Sequence, residues 1–108
     1  IRATAAYNRI AMRSPGVPFH IKGEGNGYLL EVANLRIYIA GDTELIPEME
    51  KLGPVDIAFL PKNLPYTMSD QMFIEAARLI RPAVLYPYHY FEVDRTALQE
   101  ALPDIKIR

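Results

Sequence analysis

The sequence predicts a layered α/β fold, in which a mixed β-sheet carries helices on one face. Apolar runs rich in β-branched and aromatic residues alternate with amphipathic helical segments, and glycine and proline mark the boundaries. Half of the 108 residues are apolar, so the chain is globular and long enough for one domain with one modest core. The predicted order is strand, long loop, two strands, and then helix and strand in alternation through three helices and three strands.

The first part of the chain is predicted to hold three strands and a long loop. Residues 1–6 form a short strand. Residues 7–27 contain two prolines and four glycines, which predicts an irregular loop that is functional or mobile. Residues 28–32 and 35–40 are apolar, strand-favouring runs, and Ala33-Asn34 between them is a plausible hairpin turn.

The second part alternates helices with strands. Predicted strands cover residues 55–60 and 83–86, and Ile105 and Ile107 alternate in a last strand. The predicted helices are a short one at 47–52 that begins at Pro47, a longer one at 69–80 with Phe73, Ala76, Ala77 and Ile80 on its apolar face, and a third that Asp94 caps and Pro103 closes.

Composition excludes several classes of function. Acidic residues exceed basic ones by 13 to 12, so no basic excess points to a nucleic acid or an anionic membrane as partner. The absence of cysteine excludes disulfides and thiolate metal sites and fits a reducing, cytoplasmic compartment. No apolar run approaches the roughly 20 residues of a membrane span, and no signal peptide is visible. The chain opens on Ile1 without a methionine, so we expect a fragment of something longer.

Two residues of types that bind metals follow predicted strands. Asp42 comes after the strand at 35–40 on the hinge of Gly41, and His89 comes after the strand at 83–86. Ligands of open α/β sheets bind where strands end, and carboxylate and neutral imidazole are both zinc ligands. Thr43 is expected to orient the carboxylate or to cap the next helix. The alternatives are a turn or cap role for the aspartate and a packed, non-ligating role for the histidine.

Several stretches resemble a known family: the strand-Gly-Asp-Thr-helix segment around "IYIAGDTELIPEM", the "PYTM" loop before a helix, and the late strand that ends in the Pro-x-His motif of "LYPYHY". They are similar to the second half of a metallo-β-lactamase-fold hydrolase, of the metal-dependent branch that resembles ascorbate-6-phosphate lactonase. The resemblance runs from about residue 3 to residue 91. It implies that residues 1–108 are the C-terminal half of an αββα sandwich, whose two half-units pack sheet to sheet with the helices outside.

The resemblance also implies a metal site. In the family the aspartate of the Gly-Asp-Thr motif is a ligand that often bridges two metals, and the late histidine is another ligand, which correspond to Asp42 and His89. Zinc, or another divalent metal, is the implied cofactor of the complete enzyme. There, metal-bound hydroxide would attack a carbonyl or phosphoryl centre of a small-molecule substrate whose identity the sequence does not give.

The chain departs from the family pattern in its histidines. The His-x-His-x-Asp-His cluster of the family's first half is absent, and only His20 and His89 are present. Because a catalytic zinc site uses about three protein ligands and an open position, we expect this chain alone to be inactive and to bind zinc weakly or not at all. Tyr7-Asn8 stands where relatives often place a ligand histidine. His20 is then the third candidate metal ligand, its alternative being an ordinary loop histidine.

Further expectations concern geometry, substrate and partners. The ends of strands 35–40 and 83–86 should lie side by side, with the donor atoms of Asp42 and His89 roughly 3–4 Å apart. The candidate substrate-binding residues are Tyr66, Lys62 and Asn63, although exposed lysine is mostly solvated surface. Three short helices cover only one sheet face, so we expect a homo-oligomer or a missing N-terminal half to cover the other. The alternative function is a non-catalytic or degenerate half-domain that acts by self-association or partner binding.

Overall fold

The computed structural model describes all 108 residues, which form a six-stranded mixed sheet, a two-stranded hairpin and three short helices. The elements along the chain are β1 (Arg2–Ala6), β2 (Met12–Ser14), β3 (Val17–Pro18), β4 (Gly25–Val32), β5 (Leu35–Ile39), a 3₁₀ helix (Pro47–Lys51), β6 (Ile57–Pro61), α1 (Asp70–Ile80), β7 (Val84–Tyr88), α2 (Arg95–Ala101) and β8 (Lys106–Ile107). No helix has both the length and the apolar character that crossing a membrane requires.

The sheet has the strand order β1-β4-β5-β6-β7-β8. β1, β4 and β5 pair antiparallel, and β5 to β8 pair parallel. The hairpin between β4 and β5 turns at Ala33 and Asn34, whose φ angles of 50° and 67° are those of the two-residue turn that matches strand twist. The predicted turn is therefore confirmed, and the parallel strands bring their carboxyl ends to one edge.

One face of the sheet builds the core. Leu29, Tyr38, Ala58 and Leu85 lie next to one another across β4, β5, β6 and β7, and all four are buried. The three helices cover this face and add their own apolar side chains to the same cluster. The helix residues in the cluster are Met49, Phe73, Ala76, Ala77, Ile80 and Leu98. The predicted layer of helices on one sheet face is confirmed.

The opposite face is apolar and lies outside this core. Tyr28, Ile39, Phe59 and Tyr86 form a row across β4 to β7; the two tyrosines are 43% and 37% exposed and the other two are half-buried. The Phe59 and Tyr86 rings stack with centroids 4.8 Å apart. We call this row, with its neighbours Leu30, Ile37, Ile57 and Val84, the open face.

The region predicted as a continuous loop contains regular structure. β2 and β3 form a small hairpin within it, and β4 begins at Gly25 rather than at Tyr28. Gly27 lies within β4, and glycine is needed there because a Cβ would lie 2.5 Å from the Ala40 carbonyl oxygen. This glycine marks a close approach of two backbones, not a loop.

Two further predictions are wrong. The short helix at 47–51 is a 3₁₀ helix with no side-chain cap, and Thr43 does not cap it. β5 and β7 are not neighbours, because β6 lies between them. Both β6 and β7 also extend one or two residues beyond the predicted ends, through Pro61 and Tyr88, since strand pairing continues across the two prolines at positions 61 and 87.

Candidate metal centre

The carboxyl ends of β5 and β7 bring Asp42 and His89 together although β6 separates the strands. Asp42 Oδ1 lies 3.6 Å from His89 Nε2, inside the separation predicted for two donors of one site. His89 follows β7 in a left-handed backbone conformation with a φ of 55°, which turns its side chain away from the strand direction. Metal binding by the pair stays a prediction.

His20 reaches the same carboxylate from the loop before β4. Its Nε2 lies 3.4 Å from Asp42 Oδ2, so each carboxylate oxygen faces one imidazole. All three side chains are partly exposed to solvent. They do not converge on a single point, and the chain contains no group of three donors that is already arranged as a metal site.

The glycine hinge before Asp42 is held from two sides. Gly41 has a φ of 75°, and a Cβ there would lie 2.5 Å from the carbonyl oxygen of Asn26. The Gly41 N–H donates to Tyr88 Oη at 2.9 Å. Burial and the negative charge of Asp42 raise the pKa of Tyr88, against the opposing effect of the Gly41 hydrogen bond, so the hydroxyl stays neutral beside the carboxylate.

Asn8 ties His20 into place. The Asn8 Oδ1 accepts from both the backbone N–H and Nδ1 of His20 at 2.7 Å, while its Nδ2 donates to the Tyr66 carbonyl at 2.9 Å. The Asn8 N–H also donates to the His20 carbonyl at 2.9 Å. The position where relatives often place a ligand histidine is thus occupied by a buried amide that supports a histidine instead.

Thr43 and Glu44 fasten the residues after the hinge to the segment that carries Asn8. Thr43 Oγ1 accepts from the Tyr7 N–H and donates to the Tyr7 carbonyl, each at 3.1 Å, so the prediction that Thr43 orients the Asp42 carboxylate is wrong. Glu44 is buried, and its carboxylate accepts the N–H groups of Arg9, Ile10 and Ala11. Asn8 and Glu44 are therefore supports of the site that no sequence pattern indicated.

The three candidate substrate residues lie in different surroundings. Lys62 Nζ pairs with Asp70 Oδ1 at 2.6 Å, so much of its charge is already matched. Asn63 is buried, and its Nδ2 lies 3.1 Å from His89 Nδ1. Tyr66 is 41% exposed, and its ring packs edge to face on Phe19 beside the His20 loop. Of the three, only Tyr66 exposes a large part of its surface beside the His20 loop.

Two cavities lie at opposite edges of the sheet. One of about 320 Å³ opens beside His20 and Asp42 and is also lined by Phe19 and Glu24. A larger one of about 600 Å³ lies at the opposite edge of the sheet, near Asp104. The smaller cavity belongs to the candidate metal centre, because His20 and Asp42 line it and the larger cavity contains neither.

Comparison with known families and curated proteins gives a consistent result. Residues 2–89 match the family described as the beta-lactamase superfamily domain. The chain is 37% identical over 95 residues to a UPF0173 metal-dependent hydrolase of Desulfitobacterium hafniense, covering 83% of this chain and 40% of that protein. It is 30% identical over 110 residues to one of Desulforamulus reducens, covering 94% and 48%. The chain therefore spans less than half the length of these relatives.

Solved structures agree. A candidate metal-dependent hydrolase from Parabacteroides distasonis superposes with a TM-score of 0.88 at 46% identity, covering 99% of this chain and 48% of that one. A metallo hydrolase from Ignicoccus hospitalis gives 0.72 at 28% identity, covering 98% and 47%. A Thermotoga maritima protein of the metallo-β-lactamase superfamily gives 0.63 at 21% identity, which shows a shared fold alone. The observed sheet and helices thus match half of this fold.

Proposed function

Because the chain belongs to the beta-lactamase superfamily, we propose that it is the C-terminal half of a metal-dependent hydrolase and supplies part of its metal centre. The observation that carries the proposal is the Asp42 carboxylate, which lies between the Nε2 atoms of His20 and His89 at 3.4 and 3.6 Å. The names of the relatives, which are metal-dependent hydrolases, support it.

The donor set fits a divalent ion such as zinc. One carboxylate and two imidazoles are the side chains that zinc takes when no thiolate is present. Each oxygen of Asp42 faces only one imidazole, so the chain offers two incomplete pairs of donors on a shared carboxylate. Residues from another segment have to complete the coordination, which agrees with a chain that spans 40–48% of its relatives.

The chemistry proposed for the complete enzyme is hydrolysis at a carbonyl or phosphoryl centre. A bound divalent ion supplies Lewis acidity and lowers the pKa of water. In this chain, Asp42 provides the negative charge, and His20 and His89 provide neutral donors on either side of it. Tyr66 is the proposed contact for a small-molecule substrate, since its exposed ring lies beside the His20 loop.

The open face is proposed to pack against the missing N-terminal half. Its apolar row includes two tyrosines that are 43% and 37% exposed, and sheet-to-sheet packing at about 10 Å would bury them. This assembly would also bring the remaining ligands to the edge where Asp42 lies.

Metal binding in the complete protein tests the proposal. With the N-terminal half joined to this chain, we expect calorimetry to show tight zinc binding, and Asp42→Asn to weaken it more than the roughly 10–100-fold typical of an outer-shell change. Asp104→Asn is the matched control, because this exposed aspartate lies at the opposite edge of the sheet. Equal zinc affinity in the Asp42→Asn and Asp104→Asn proteins would refute the assignment.

A second candidate function rests on the open face itself. If no other half exists, a second copy can cover the row of Tyr28, Ile39, Phe59 and Tyr86, and the chain would act by self-association without catalysis. Sedimentation of the chain distinguishes the cases. A dimer that Phe59→Glu dissociates supports self-association, whereas a monomer at tens of micromolar argues against it.

A further inference from the structure

We infer that Asn8 is a positioning residue that keeps the proton of neutral His20 on Nδ1 and so presents an unprotonated Nε2 to Asp42. The inference rests on the proposed function in one respect: an unprotonated Nε2 is useful there because it can bind the metal. It assigns a role to a residue that binds no metal itself.

The orientation of the Asn8 amide is fixed at both ends. Its Nδ2 lies 2.9 Å from the Tyr66 carbonyl, which can only accept, and its Oδ1 lies 2.7 Å from the His20 backbone N–H, which can only donate. Asn8 is 4% exposed, so water does not compete for these bonds. Exchanging the amide oxygen and nitrogen would break both contacts at once.

With the amide fixed, the tautomer of His20 follows. Its Nδ1 lies 2.7 Å from Asn8 Oδ1 and 3.1 Å from the Tyr66 carbonyl, and both of these atoms are acceptors. Nδ1 therefore has to carry a hydrogen. A neutral imidazole has only one N–H, so Nε2 is left with its lone pair.

That lone pair points at a carboxylate. Asp42 Oδ2, 3.4 Å from His20 Nε2, also offers only lone pairs when ionised. Two acceptors at this separation repel each other unless a cation lies between them. A histidine whose Nδ1 donates to an outer partner is the usual arrangement of a metal-binding histidine.

His89 lacks this control and serves as the internal reference. Its Nδ1 faces Asn63 Nδ2 at 3.1 Å, and the Asn63 amide makes no other side-chain hydrogen bond. Rotating that amide by a half turn exchanges donor and acceptor without breaking another contact. The tautomer of His89 is therefore not determined by its neighbours in the way that His20 is.

The test is the ¹⁵N NMR spectrum of the two imidazoles in the metal-free chain, at a pH where both are neutral. We expect His20 to be in the Nδ1–H form, which free histidine disfavours. A His20 spectrum of the Nε2–H form in the wild-type chain would overturn the inference without any variant. Because no metal is present, this result is independent of whether zinc binds as proposed.

Variants separate a positioning role from a structural one. Asn8→Asp keeps an acceptor oxygen and should keep the Nδ1–H form, whereas Asn8→Leu, which has a similar size and no acceptor, should shift His20 toward Nε2–H with His89 unchanged. Asn8→Ala, which also has no side-chain acceptor, replaces the leucine variant if that one does not fold. An unchanged His20 tautomer in whichever of the two variants folds would show that Asn8 only holds the loop.

Discussion

Replacing Glu44 with glutamine is expected to lower the free energy of unfolding and to loosen the segment that carries Asn8. The Glu44 side chain is 1% exposed, and one of its oxygens accepts the N–H groups of Arg9 and Ile10 while the other accepts that of Ala11 at 3.0 Å. Glutamine has nearly the same size but only one acceptor oxygen.

The magnitude follows from these three bonds. If the glutamine oxygen stays on Arg9 and Ile10, its amide nitrogen faces the Ala11 N–H, donor against donor. An unpaired buried group costs about 1–3 kcal/mol, and the other two bonds lose the strength that a charged acceptor gives. A neutral side chain is easier to bury, which offsets part of this loss. The expected net cost is about 3 kcal/mol.

Urea denaturation measures this change. With a slope of about 1–2 kcal/mol per molar urea, the midpoint should fall by roughly 2 M. Glu50→Gln is the matched control, because Glu50 is exposed and makes no side-chain hydrogen bond, and it should stay within about 0.5 kcal/mol of wild type. A Glu44→Gln chain as stable as this control, with the Ala11 amide still protected from hydrogen exchange, would refute the reasoning.

Three other predictions follow from the same region. Gly41→Ala should cost about 2 kcal/mol or more in thermal unfolding, because a φ of 75° is unfavourable for alanine and its Cβ would meet the Asn26 carbonyl; an unchanged Tm would contradict the hinge. Burial acts to raise the pKa of Glu48, but hydrogen bonds from its own backbone and Tyr7, with the charge of Lys22, hold it below 4.5. The stabilisation is therefore present above the ordinary pKa of the carboxyl and is lost as the pH falls through its lower pKa in the folded state. The stability difference between wild type and Glu48→Gln should be smaller at about pH 3 than at about pH 7. A constant difference would rule this out. Finally, the chain by itself should bind zinc weakly or not at all by calorimetry, since no three donors converge; tight stoichiometric binding would contradict this and would mean that the chain supplies a third ligand.

The fold and the meeting of Asp42 with His89 could be predicted because both depend on local patterns. Apolar runs and the Pro47 and Ser69 helix starts locate the elements. Parallel strands end at the same edge of a sheet whatever their order, so the wrong adjacency of β5 and β7 did not separate the two side chains.

The supports of the site could not be predicted in this way. Asn8 bonds to Tyr66, 58 positions along the chain, and Glu44 bonds to Ala11, 33 positions away. Asp42 and His89 are metal-ligand residue types that follow strand ends, whereas nothing in the residue types of these other pairs indicates that they meet. The strand that begins at Gly25 was missed for a related reason: glycine breaks a pattern when read alone, and its use for backbone contact appears only when Ala40 is placed opposite Gly27.

The backbone of His89 has a consequence for engineering. A φ of 55° costs histidine about 1 kcal/mol, whereas glycine adopts this angle freely and asparagine adopts it with less strain. Directed evolution for heat resistance alone should therefore favour glycine or asparagine at position 89, and it would discard the imidazole while the fold improves. A stabilisation campaign on this chain needs a screen that also reports on metal binding. At position 89, thermal stability favours glycine or asparagine, whereas the candidate metal centre requires histidine.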